Sequence, residues 1–109
     1  MARVTLPTAD ISDLDTFHDV CARTLGFPRT YGRTMAAWVD CMARLDDRRA
    51  GMAGLTAVRG ERLLLVVVES VALKARAPAV FDALVEGAAA VNQRCMQDGN
   101  APSLALILT

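Results

Sequence analysis

Apolar positions recur at helical spacing in three stretches of the chain, and in a fourth they fuse into an unbroken run. In the stretch from Tyr31 to Leu45, Met35, Trp38, Met42 and Leu45 form one apolar stripe, while Ala36, Ala37, Asp40 and Arg44 fall on the other side. Thr34 stands just before the stripe as an expected N-cap, and Gly32 lets the entering chain turn sharply. The pattern predicts a helix ending near Asp47 whose outer face is small and polar.

An earlier helix is predicted over 13–25, with Ile11, Leu14, Phe17, Cys21 and Leu25 on its buried side. Ser12, followed three residues later by Asp15, is a near-match to a capping box, and Gly26 with Pro28 two positions on is a helix stop. Pro78 suits a helix start, and Val80, Phe81, Leu84, Val85, Ala88, Val91 and Cys95 carry a long helix ending near Gly99. Gly87 interrupts it at a cost of about 1 kcal/mol relative to alanine, which points to close packing or a bend there.

Leu63 to Val68 is the unbroken run, the mark of a strand covered on both faces with helices above and below. Shorter strands are expected from Arg3 to Pro7 and from Leu104 to Leu108. From Arg48 to Gly60 periodicity fails, and Gly51, Gly54 and Gly60 mark a loop anchored by Met52, Leu55 and Val58. Glu69 to Ala77 reads as a connection with Val71 and Leu73 tucked in. The order β-α-α-β-α-β predicts an α/β fold, a small three-stranded parallel sheet packed with three to four helices, in one domain over residues 1–109.

Composition narrows the function. Twelve basic and twelve acidic residues cancel, so no global field steers the chain to nucleic acid or to an acidic membrane. Arg23, Arg29 and Arg33 gather near the end of the first helix, and Asp10, Asp13, Asp15 and Asp19 near its start, an arrangement that the helix dipole favours. Cys21, Cys41 and Cys95 are odd in number, widely spaced and in no C-x-x-C pair, so a reduced, cytoplasmic setting is expected. No signal-peptide pattern and no bilayer-length apolar run is read.

Catalytic chemistry finds little to stand on. His18 is the only histidine, and beside Asp15 and Asp19 it reads as a solvated or locally bonded surface residue rather than a general base. Ser12, Ser70 and Ser103 lack a motif, the cysteines lie on apolar helix faces where burial is the plain expectation, and no metal-ligand spacing occurs. Gly26 to Thr34 echoes a phosphate-binding loop, but with the wrong spacing, arginine for lysine, and a helix rather than a strand before it. Asp46 and Asp47 are helix neighbours that point apart, so they do not form a carboxylate pair. No enzyme activity, cofactor or metal is expected.

Leu25-Gly-Phe-Pro28, Tyr31-Gly32, the aromatic-bearing helix, Asp40-Cys41, the apolar strand ending at Glu69 and the terminal Leu-Ala-Leu-Ile-Leu strand resemble the barstar family, intracellular inhibitors of barnase-type ribonucleases. The likeness spans nearly the whole chain and implies that the Tyr31 loop and the following helix plug the active site of a ribonuclease, with acids standing in for RNA phosphates. Thr30, Tyr31, Gly32, Thr34 and Met35 are the loop-side residues that it places against a partner, and Ala36, Val39, Asp40 and Arg44 the helix-side ones. Asp40 and Gly32 match the family pattern, whereas Thr34 replaces its asparagine, Ala36 replaces its first aspartate, and Trp38 stands one place earlier than its tryptophan.

Each lost carboxylate removes charge-assisted hydrogen bonds to an arginine-lined site and slows steered encounter. Ala36, with Arg29, Arg33 and Arg44 around the site, therefore weakens the expected fit to a basic ribonuclease. The resemblance thus implies a toxin-immunity protein for a ribonuclease, monomeric when free. The alternative is the same fold used as a docking module for a partner that is not a ribonuclease. Without the resemblance, Asp40 would be no more than the i to i+4 partner of Arg44.

Overall fold

A computed structural model describes residues 2–44 and 63–109. Three parallel strands, β1 (Ala2–Leu6), β2 (Leu63–Val67) and β3 (Leu104–Leu108), lie in sequence order with β2 in the centre. Leu65 pairs with Val4 on one side and with Leu106 on the other, so the side-chain faces of all three strands are in phase. Among the described residues the helices are α1 (Leu14–Leu25), α2 (Met35–Ala43), α3 (Ser70–Arg76) and α4 (Pro78–Gln97).

All four helices send buried side chains into one core with Leu6, Leu63, Leu65, Val67 and Leu104. The expectation of helices above and below the sheet is therefore not met among the described residues. Strands that step always in the same direction, joined by right-handed crossovers, deliver each helix to the same face. On the opposite pleat Val66 is nonetheless 4% exposed and Leu64 half-buried, so that side of the run is largely covered as its composition required.

Local chemistry sets the helix limits. Asp13, not Ser12, caps α1: its carboxylate accepts from the Thr16 N–H at 2.8 Å, and the Thr16 hydroxyl accepts from the Asp13 N–H at 3.0 Å. A carboxylate at this position also meets the positive end of the helix dipole, which favours it over the serine one residue earlier. The bonds this carboxylate accepts from the Thr16 N–H and hydroxyl hold it below its ordinary range. Gly26, at φ 69°, takes the left-handed turn that ends α1. Leu14 is exposed, and Val20 takes the place expected for it in the core.

The segment after β2 is the helix α3 rather than a connection. Ala72, Leu73, Lys74, Ala75 and Arg76 are all strong helix formers, but two turns are too few for periodicity to register. Leu73 is buried as expected, whereas Val71 is 82% exposed. Glu69 occupies the cap position in the left-handed region, and its side chain makes no cap bond. Arg76 fastens α3 to the chain after β1, donating to the Ile11 and Thr8 carbonyls at 3.0 and 2.8 Å.

Helix α2 ends at Ala43, with the Arg44 N–H turned back to Cys41 and φ −105°, ψ 11° outside the helical range. Leu45, Asp46, Asp47 and the loop expected from Arg48 to Gly60, with Met52, Leu55 and Val58, lie outside the described residues. In α4, Val80, Leu84, Ala88, Val91 and Cys95 are buried while Val85 is exposed. Asn92 ties this helix to β3, its amide donating to the Leu104 carbonyl at 2.8 Å and accepting from the Ser103 and Leu104 N–H groups at 3.0 Å.

Candidate functional site

The Thr34 hydroxyl accepts from the Ala37 N–H at 3.1 Å and starts α2 where the sequence placed it. The helix turns Trp38, Cys41 and Met42 inward and leaves Met35, Val39 and Ala43 half-buried along the flanks. Thr34 and Ala36 are exposed on the first turn, Arg44 is exposed at the far end, and Asp40 is half-buried between them. Thr30 and Gly32 are exposed in the preceding loop, and Tyr31 is half-buried. The expected residues thus form one continuous strip, from the loop tip along α2.

That loop is held from α1. The Tyr31 ring lies 4.8 Å from the Phe27 ring, its N–H donates to the Pro28 carbonyl at 2.9 Å, and its hydroxyl sits 2.6 Å from His18 Nδ1. His18 is 5% exposed and stacks edge-on against Phe17, so the surface histidine expected from sequence is a buried one. The physical reason is its neighbour across the fold: Tyr31 supplies the polar partner that Asp15 and Asp19 supply to other groups. Burial raises the Tyr31 hydroxyl well above its ordinary pKa, with Cys21 and Cys41 adding to the shift, so it remains a neutral donor.

Asp15 and Asp19 bind Arg33 instead. The Arg33 guanidinium donates to an Asp15 carboxylate oxygen at 2.8 Å and to Asp19, and this fork holds its pKa above the usual range. Arg33 has φ 56°, a left-handed conformation that non-glycine residues rarely adopt. The cost of that conformation is of the order of 1–3 kcal/mol, and tolerating it requires surroundings that over-determine the residue. The two carboxylates hold the Arg33 side chain, and with the Tyr31–His18 contact they tie the loop to α1 ahead of α2.

Burial pushes the His18 pKa down, Arg33 lowers it further, and Asp15 and Asp19 partly oppose both. The unfolded chain therefore binds a proton at higher pH than the folded one, so stability is complete above about pH 6.5 and falls as the pH drops towards the folded pKa. The Tyr31 hydroxyl can donate to Nδ1 only while that nitrogen is unprotonated. The expected loss is a fraction of the about 1.4 kcal/mol per pH unit that one proton can supply. Urea midpoints at pH 7.5 and 5.5 should show a component that disappears in His18→Gln; an identical pH slope in both proteins would contradict it.

Asp40 is not a free acid. Its Oδ1 accepts from Arg94 Nη2 of α4 at 2.8 Å, and Arg44 Nε lies 3.6 Å from the same oxygen. The i to i+4 contact read from sequence is thus present but secondary to a contact from 54 residues away. Arg94 was missed, although Gly87 and Arg94 are seven residues apart and so share one face of α4. The same glycine marks where α2 and α4 touch: a Cβ there would lie 2.9 Å from both Met35 Cε and Trp38 Cζ3.

Burial pushes the Cys21 thiol up to about 12, and Cys41 is raised by burial and by Asp40, so neither is a ready nucleophile. Among the described residues no three His, Cys, Asp or Glu side chains gather as a metal-binding group, and no helix is long and apolar enough to cross a membrane. The strip presents a loop tied to α1 and a small-residue helix face. A family model described as Barstar (barnase inhibitor) matches residues 1–107, nearly the whole chain. None of the curated proteins compared matches the chain.

Proposed function

We propose, since the chain belongs to the barstar family, that it is an immunity protein which plugs the active site of one cognate ribonuclease with the Tyr31 loop and α2. Barstar-family membership carries the coarse part of this reading, a barnase-type ribonuclease inhibitor or a related immunity protein and not an enzyme. The finer part is supported by the loop of residues 30–34, which contacts through His18 and Arg33 tie to α1 directly beside an exposed helix face. A surface already fixed before binding loses little conformational freedom on docking, and that is what a tight plug requires.

Thr34 and Ala36 leave the first turn of α2 without a carboxylate, so shape rather than paired charges dominates there. Ala36→Trp adds bulk to the exposed centre of this face without touching the core, and it should weaken inhibition about a hundredfold while the melting temperature stays unchanged. The test is co-expression with barnase-family ribonucleases, followed by RNA cleavage assays with the purified pair. Failure of the parent protein to inhibit any of them would overturn the ribonuclease reading. Equal inhibition by the parent and Ala36→Trp would leave inhibition standing and remove α2 from the contact.

A further inference from the structure

Where α2 meets α4, one carboxylate is shared by two guanidinium groups. Asp40 Oδ1 accepts from Arg94 Nη2 at 2.8 Å and lies 3.6 Å from Arg44 Nε. The three side chains are 35%, 40% and 48% exposed for Asp40, Arg94 and Arg44, so the trio faces solvent as part of the strip while being packed enough to hold its geometry. Its net charge is +1. Each guanidinium carries five N–H donors in a planar fork, and the single Asp40 oxygen occupies only a few of the ten.

An arginine-lined phosphate site brought against this trio must break the Asp40–Arg94 pair to reach the carboxylate, and it meets two like charges in doing so. A carboxylate brought to the same place meets one guanidinium fork held by Asp40 at 2.8 Å and a second charge 3.6 Å from the same oxygen, and Arg94 can offer it further N–H donors with little further ordering. Arg33 does not alter this balance, because Asp15 and Asp19 at the loop end already hold it. Among the described residues the far end of α2 is therefore cationic.

We infer that Arg94 and Arg44 are the specificity-determining residues of the surface, selecting a partner that presents a carboxylate, not an arginine cluster, to the Asp40 end of α2. This rests on the reading of α2 as the contact face. Asp40 then acts through the arginines, as the group that positions them, rather than as the phosphate mimic itself.

Calorimetric titration of two probes tests the inference: barnase, and barnase in which one active-site arginine is replaced by glutamate. The double variant Arg44→Gln/Arg94→Gln should bind barnase at least about tenfold more tightly than the parent does, because the opposing charges are gone. The parent should prefer the glutamate-bearing probe to barnase by a similar factor, and the double variant should lose that preference. Exposed ion pairs contribute little to stability, so the double variant should keep the parent's urea midpoint, and Arg44→Lys/Arg94→Lys, which keeps the charge, should behave as the parent with barnase.

Equal binding of barnase by the parent and the double variant, or binding of it by neither, overturns the inference. If the parent still inhibits another ribonuclease in the co-expression assay, only this assignment of specificity is lost. If it inhibits none, the ribonuclease reading is lost with it.

Discussion

Trp38→Ala is expected to cost about 3–5 kcal/mol, enough to remove much of the stability of an ordinary domain of this size. Trp38 is fully buried, packs beside Phe17 with ring centroids 6.1 Å apart, and touches α4 at Gly87, so its loss opens a cavity where α1, α2 and α4 meet. Trp38→Phe is the informative companion. Among the described residues the indole Nε1 is buried with no hydrogen-bond partner, and the polar group it bears on is the Cys21 thiol, a weak acceptor.

Leaving such a donor unsatisfied costs about 1–3 kcal/mol. Phenylalanine removes that cost and a ring's worth of packing together, so Trp38→Phe should stay within about 1 kcal/mol of the parent. Urea unfolding followed by far-ultraviolet circular dichroism measures both variants. A phenylalanine variant as unstable as the alanine one would mean that the indole N–H is satisfied after all.

Gly87→Val is expected to destabilise by about 2–3 kcal/mol, against the helix-propensity gain of replacing a glycine. The first side-chain carbon would stand 2.9 Å from Trp38 Cζ3 and 3.1 Å from Trp38 Cε3. Met35 Cε, also at 2.9 Å, is the end of a flexible chain and can move, whereas the buried indole cannot. Gly87→Ala should lose less, about 1 kcal/mol, because the propensity gain offsets part of the overlap.

The decisive measurement is a double-mutant cycle. Gly87→Ala should cost less in the Trp38→Phe background, since phenylalanine lacks the ring atoms that the new methyl meets. Strict additivity would place the strain elsewhere. Because α2 carries the proposed contact face, both Gly87 variants should also show weakened inhibition at temperatures where they remain folded, as the helix is pushed off its seat.

The candidate site was readable in sequence to the extent that it depends on one helix. Thr34 as cap, Trp38 and Met42 as core, and Ala36 as an exposed small residue all follow from neighbours three or four positions away, and each stands as expected. His18 was misplaced because a lone histidine between aspartates is polar on every local measure, and only Tyr31, from a different segment, makes its burial tolerable. Asp40 is expected from sequence either to face a partner or to pair only with Arg44, because the arginine that occupies it comes from α4. In Arg33, the sequence shows a charge suited to a helix end, and the fold turns it into the clamp of a strained loop.

By itself, then, the chain's pattern of apolar positions determined the order of the strands and of every helix but α3, the parallel sheet and the inward face of α2, because those rest on periodicities of 2 and 3.6 residues and on crossover handedness. The tertiary structure alone decided which charges are spent inside the molecule and which are left to a partner. Ion pairs between separate helices depend on where those helices cross, and the crossing of α2 and α4 is set by a glycine at position 87 meeting an indole at position 38. The charge that the surface shows at Asp40 is for that reason a property of the packing and not of the residue.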